Sequence, residues 1–291
     1  MIKIRVFADC TKSSVFLDTT DIKDDSDYGK TFCFTNNNDY THVILINCIT
    51  PKISHIPKEN VIGLAFEPIQ ILKSVNEKKF KSFIQYAQKH IKKYFIGDKK
   101  DLPEPFVEGF GYINPTIIYP DISKKVEKSN IMSIMISRKK WAPGHNYRHI
   151  LMKKILQENL PVDIHGHGCK DYNSLKNNRL KGSFRRGGNE PYESYMFHIA
   201  IENYQCNHYF SEKIMNTLLS NTTPIYLGCK NIDDYFPDAV IKLNGDLDHD
   251  IKLIKNICEN PKKYQKQIDI NKVKKTISIK NIIDEFFLAK S

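Results

Sequence analysis

The stretch FHIAIENYQCNHYFSEKIMNTLLSNTTPIYLG, Phe197–Gly228, decides how the chain folds. MFHIAIEN (196–203) and TPIYLG (223–228) are short apolar runs suited to buried strands. Between them SEKIMNTLLSN (211–221) places Ile214, Leu218 and Leu219 on one helical face. A strand, a helix and a second strand in this order make a crossover, so the two strands are parallel. Ser211 is suited to cap the helix, because its hydroxyl accepts a first-turn N–H. Glu212 suits the positive end of the helix dipole, but Lys213 in the same turn does not. A lysine there becomes favourable when an anion, such as a diphosphate, bridges it to the free N–H groups.

The same alternation extends in both directions. Toward the N-terminus, apolar runs at 2–8, 42–49, 60–66 and 93–97 predict strands. Between the last two, Leu72, Val75, Phe83, Ile84, Ala87 and Ile91 approximate helical spacing. The polar segment 119–130 has no periodicity and reads as a linker. After it come a strand at 131–137, a helix at 146–159, a strand at 162–166 and a long basic loop at 177–191. Beyond the quoted stretch lie a strand at 239–243 and a C-terminal amphipathic segment expected to pack as a closing helix. Two successive α/β units with parallel sheets follow from this pattern.

The 291 residues carry a net charge of +11, which favours anionic partners. A phosphorylated small molecule, nucleic acid and an acidic membrane surface all meet that condition. The basic loop 177–191 has few aromatics and no nucleic-acid-binding signature, so nucleic acid is set aside. Seven cysteines without a C-x-x-C pair fit a reducing compartment better than a disulfide framework. The N-terminus reads as a strand and no long apolar run occurs, so a cytoplasmic protein is expected.

In parallel sheets ligands sit at the carboxyl ends of the strands. Four strand ends draw attention: AFEP (65–68), SRKKW (137–141), HGHGC (165–169) and IENYQCNHYFSEK (201–213). Arg148, expected in the first turn of the helix after strand 131–137, would join Lys213 as a second cation facing that edge. Glu67, ending an apolar strand before Pro68, is a candidate general base if partly desolvated. DSD (25–27) resembles a D-x-D metal site, but no apolar strand leads into it. His165 and His167 lack a third ligand, so a glycine-held turn is the simpler reading.

The ordered set Phe197, Glu202, Asn203, Tyr209, Ser211, Glu212, Lys213, Pro224, Ile225, Tyr226 and Gly228 closely resembles the donor-binding motif of the α-1,3/1,4-fucosyltransferases, glycosyltransferase family 10. NYRHILMKKILQENLPVDIHGHG and AFEPIQ resemble two further stretches of that family. The resemblance implies an α/β, GT-B type fold of two Rossmann-like domains with parallel sheets facing a central cleft. Residues 1–125 would form the acceptor domain, 126–270 the GDP-sugar domain and 271–291 the closing helix. It also implies an inverting, metal-independent transfer of fucose from GDP-fucose to a glycan hydroxyl, with no cofactor. Carried over by position, Glu67 would be the base, and Arg148 and Lys213 would hold the diphosphate. Glu202, Asn203, Tyr209, Ser211 and Glu212 would complete the donor site. Another GDP- or UDP-sugar, or a silent nucleotide- or glycan-binding protein, are the competing readings. The basic surface leaves room for peripheral membrane contact. The residue after Glu67 is proline where the family usually has serine, and the family's membrane anchor and stem are not recognised in this sequence.

Overall fold

The computed structural model describes residues 1–8, 25–75, 77–111, 126–185 and 188–289. Most of the expected linker and Cys10 lie outside the described residues. The chain divides into two compact units. The first comprises the described residues within Met1–Thr116, Cys206–Tyr209 and Lys275–Ser291; the second takes the remainder.

The first unit holds β1 (Ile2–Ala8), β2 (Phe32–Phe34), β3 (His42–Ile46), β4 (Val61–Leu64), α1 (Ile69–Val75), α2 (Glu77–His90), β5 (Lys93–Ile96) and β6 (Phe106–Glu108). Its sheet runs β2-β1-β3-β4-β5-β6, all parallel. The apolar runs are continuous because both faces are covered. Val43 and Leu45 join Phe83 and Ala87 of α2 in one cluster. Ile44 and Ile46 point the other way, into a cluster shared with Ile279 and Ile283. The C-terminal segment thus closes this second face, with Phe95 and Phe286 ring centroids 5.2 Å apart.

The second unit holds β7 (Asn130–Met135), α3 (Pro143–Gln157), β8 (Val162–His165), β9 (Leu180–Gly182), β10 (Tyr195–Ile201), α4 (Glu212–Leu219), β11 (Thr223–Leu227), β12 (Ile241–Lys242) and α5 (Leu247–Glu259). Its parallel sheet runs β12-β11-β10-β7-β8-β9. Read from the other edge, this is the 3-2-1-4-5-6 order of nucleotide-binding sheets. The strand order reverses between β7 and β10, so their carboxyl ends form the switch-point crevice where such sheets bind ligands. A buried core of Met132, Ile134, Leu151, Ile155, Phe197 and Ile199 fixes α3 against these two strands.

Beyond the expected elements the structure adds the edge strands β2, β6 and β9, the last inside the basic loop. The single helical stretch expected between 60–66 and 93–97 appears as α1 and α2. No helix among the described residues is long and apolar enough to cross a membrane.

Candidate functional site

The quoted stretch builds the site. β10 ends at Ile201, and Glu202 follows it with its backbone N–H bonded to Leu227 O of β11. The Glu202 side chain is fully buried. A buried carboxylate must be satisfied by charge and hydrogen bonds, and the start of α4 supplies both. Ser211 N donates to Glu202 Oε1 at 2.8 Å, and Ser211 Oγ donates to Oε2 at 2.6 Å. Lys213 Nζ lies 3.4 Å from the same Oε2.

Ser211 caps α4 as expected. Its Oγ also accepts from Lys213 Nζ at 2.8 Å, and that ammonium donates to Glu212 Oε1 at 3.0 Å. Lys213 is therefore folded back over the N-terminus of α4, its side chain 14% exposed. Burial works against its charge, but Glu212 and Glu202 outweigh both burial and Arg148, so its pKa stands above the ordinary lysine value. The helix dipole opposes a cation here, and two carboxylates compensate for it within the folded protein.

Arg148 is buried. Its Nε donates to Gly144 O at 3.1 Å and its Nη2 to Asn203 Oδ1 at 2.7 Å. The position of Arg148 in α3 differs from expectation. The helix starts at Pro143, whose locked φ suits the first helical position, so Arg148 falls in the second turn and not the first. What places it beside Asn203 is close backbone approach. Gly144 N donates to Asn203 O at 3.0 Å, and a Cβ on Gly144 would come within 1.8 Å of Glu202 O. Glycine is needed there for α3 to touch the end of β10.

These bonds form two sets that meet where Glu202 and Asn203 are neighbours in the chain: Arg148 with Asn203, and Glu202 with Ser211 and Lys213, to which Glu212 is attached through Lys213. Tyr209 is buried and groups with the first unit. There Asn207 N donates to Asp98 Oδ1, and the backbone of Gly97 lies close under Cys206 and Tyr209. Glu67 also belongs to the first unit, three residues beyond the end of β4. Its neighbour Phe66 is held by Asn47, whose Oδ1 accepts Phe66 N at 2.9 Å and whose backbone O accepts Tyr94 Oη at 3.1 Å. Asn47 has a φ of 55°, the left-handed region that asparagine tolerates. It fixes the loop that carries Glu67.

The histidines at 165 and 167 are engaged elsewhere: His165 Nε2 with Tyr195 Oη at 2.9 Å, and His167 Nδ1 with Ser183 Oγ at 2.9 Å. Asp25 accepts Asp27 N at 2.8 Å in a local turn. Among the described residues no group of three or more His, Cys, Asp or Glu is placed to hold a metal ion.

A buried α4 lysine held by the buried carboxylate that follows β10, at a nucleotide-fold switch point, suits a polyanion. Comparison with known proteins agrees: the model of glycosyltransferase family 10 (fucosyltransferase), C-terminal part, matches residues 125–281, more than half of the chain. The chain belongs to glycosyltransferase family 10. This family 10 chain is 23% identical over 230 residues to a putative fucosyltransferase-like protein of Arabidopsis thaliana. That match covers 77% of the chain but 42% of the relative, so the chain spans less than half of the relative's length. In structure the family 10 chain is similar to an α1,3-fucosyltransferase crystallised with GDP: 15% identity, 99% of this chain and 89% of the other, TM-score 0.53. It is also similar to WaaG, a glycosyltransferase involved in lipopolysaccharide biosynthesis: 9% identity, 99% and 100% coverage, TM-score 0.51. The two Rossmann-like units are thus those of the GT-B fold.

Two residues of the candidate site, Gly144 and His145, escaped the sequence reading. Gly144 and Gly228 flank Glu202, and a Cβ on Gly228 would come within 2.4 Å of Glu202 Cγ. His145, on the first turn of α3, is buried. The signal was present in PGH (143–145), where a proline marks a helix start and a glycine directly after it marks a close approach.

Proposed function

We propose that this chain transfers fucose from GDP-fucose to a hydroxyl of a glycan acceptor, with inversion at the anomeric carbon and without a metal. The observation that carries this reading is the Lys213 ammonium. It is held at the N-terminus of α4 by Glu202, Ser211 and Glu212, in a member of a fucosyltransferase family. The GDP bound by the similar α1,3-fucosyltransferase supports the donor class.

In the proposed reaction the acceptor oxygen attacks the anomeric carbon while the bond to the β-phosphate oxygen breaks. The Glu67 carboxylate takes the acceptor proton. Negative charge gathers on the leaving diphosphate, where Lys213, Arg148 and the free N–H groups of α4 stabilise it. Preorganisation matters here: Lys213 is already fixed, so little reorganisation accompanies the charge shift. Asn203, Glu212 and Tyr209 complete the donor site in this reading.

A second reading keeps the fold and the diphosphate contacts and changes the sugar or base, because nothing in Lys213 or Arg148 distinguishes one nucleotide sugar from another. A panel of GDP- and UDP-sugars with mixed glycan acceptors, followed by released nucleotide, separates the two. Turnover of GDP-fucose is expected. Turnover of another donor alone would overturn the fucose assignment, and turnover of none would favour a silent nucleotide- or glycan-binding protein.

A further inference from the structure

His145 sits at the third helical position of α3, on the loop side that leaves β7 at the switch point. Its Nδ1 accepts a hydrogen bond from Ala142 N at 3.2 Å. An imidazole nitrogen that accepts from a backbone N–H carries no proton, so the proton of the neutral ring sits on Nε2. No hydrogen bond from that Nε2–H to a described residue is present, although the side chain is only 4% exposed.

The surroundings say which kind of acceptor it suits. Burial, reinforced by Arg148, Lys139, Lys213 and His149, pushes the His145 pKa down to about 4. The charged groups among these come from α3, from the β7–α3 loop and from α4, so the ring stands within the field of the cations already assigned to the site. A neutral ring in that field keeps a donor among cations without adding to their repulsion. Trp141, exposed on the same loop, meets the His145 ring edge-on with centroids 4.9 Å apart.

We propose that His145 is a donor-site binding residue that gives its Nε2–H to a diphosphate oxygen of the nucleotide sugar, held in that tautomer by the backbone of Ala142. This rests on the reading of Lys213 and Arg148 as the diphosphate site. It adds a residue whose role is to donate while uncharged, at the first turn of α3 where Arg148 was expected.

Two substitutions separate the two ring nitrogens. His145→Asn keeps an acceptor near the Nδ1 position, so the bond from Ala142 N survives and the Nε2 donor is lost. His145→Gln keeps a distal N–H and loses the acceptor. Binding of GDP-fucose without acceptor is measured by calorimetry, with quenching of Trp141, the single tryptophan of the chain, as a second readout. His145→Asn is expected to weaken binding about tenfold, as for one hydrogen bond to a charged group, with thermal unfolding close to wild type. His145→Gln is expected to bind within about threefold of wild type, since it retains that bond. Unchanged binding in His145→Asn, or a loss confined to His145→Gln together with lowered stability, would overturn the proposal and leave His145 a structural cap. Absence of GDP-fucose binding by the wild type would instead overturn the donor assignment on which it rests.

Discussion

Gly228 lies so close to Glu202 that a Cβ there would stand 2.4 Å from Glu202 Cγ and 2.5 Å from Tyr226 Oη. With Gly144 on its other side, Glu202 is held between two glycines and has both oxygens bound to the start of α4. This buried carboxylate holds Lys213 together with Ser211 and Glu212.

Glu202→Ala is therefore expected to destabilise the second unit by about 3–5 kcal/mol, the cost of leaving the other partner of a buried pair uncompensated. Glu202→Gln, which keeps the shape, should cost less. Urea unfolding followed by circular dichroism measures both. A loss below about 1 kcal/mol for Glu202→Ala would show that the network is not a stabilising one.

Gly144→Ala and Gly228→Ala test the close approach. The Gly144 contact is with backbone, Glu202 O at 1.8 Å, so α3 must shift away from β10. A destabilisation of about 1–3 kcal/mol or more is expected, together with lowered nucleotide affinity as Arg148 moves from Asn203. The Gly228 contact is with side chains, so Gly228→Ala should act mainly through Glu202. Wild-type melting temperature and affinity in Gly144→Ala would contradict the geometry.

Stability should also depend on pH through buried neutral histidines. His198, paired with Ser133 Oγ at 2.8 Å, is pushed down to about 3 by burial and by His165, from an ordinary 6.5. The unfolded chain takes up a proton that the native site refuses. Stability therefore falls as pH drops from about 6.5 toward 3, at up to about 1.4 kcal/mol per pH unit for this group. His145, at about 4, adds a similar loss over a narrower range. Urea midpoints at pH 7 and pH 5 should fall less far apart in His198→Leu than in wild type; equal slopes would mean another group titrates.

The parts of this architecture visible in the sequence were those buried on both faces. In β3 every residue from Val43 to Ile46 is buried, which leaves an unbroken apolar run. The edge strands β2 and β9 were not visible: FCF and LKG are three residues long, and Leu180 and Gly182 are only partly buried. Lys213 stood out because its charge conflicts with the helix dipole, and that conflict marked the site. Glu202 could be chosen, but its partner could not, since the bond to Ser211 spans nine residues across a loop. Arg148 was placed one turn too early because Pro143 was read as loop and not as the first residue of α3. PGH (143–145) marks the helix start and the close approach but not the role of His145, which lies in a hydrogen bond from the backbone of Ala142.

Arg148→Met tests the second diphosphate cation. It removes the bond to Asn203 Oδ1 and should raise KM for the nucleotide sugar and lower kcat, by about tenfold or more in kcat/KM. Steady-state kinetics on a folded variant measures this. Unchanged kinetics would assign Arg148 to holding Asn203 and α3 only.

In the proposed function Lys213 binds the diphosphate of a guanosine nucleotide. Calorimetric titration of GDP into the wild type and into Lys213→Met, which keeps the buried stem, tests it most directly. The wild type is expected to bind GDP, and Lys213→Met to bind about tenfold or more weakly while still unfolding cooperatively. Equal GDP affinity in the two folded proteins would contradict the account.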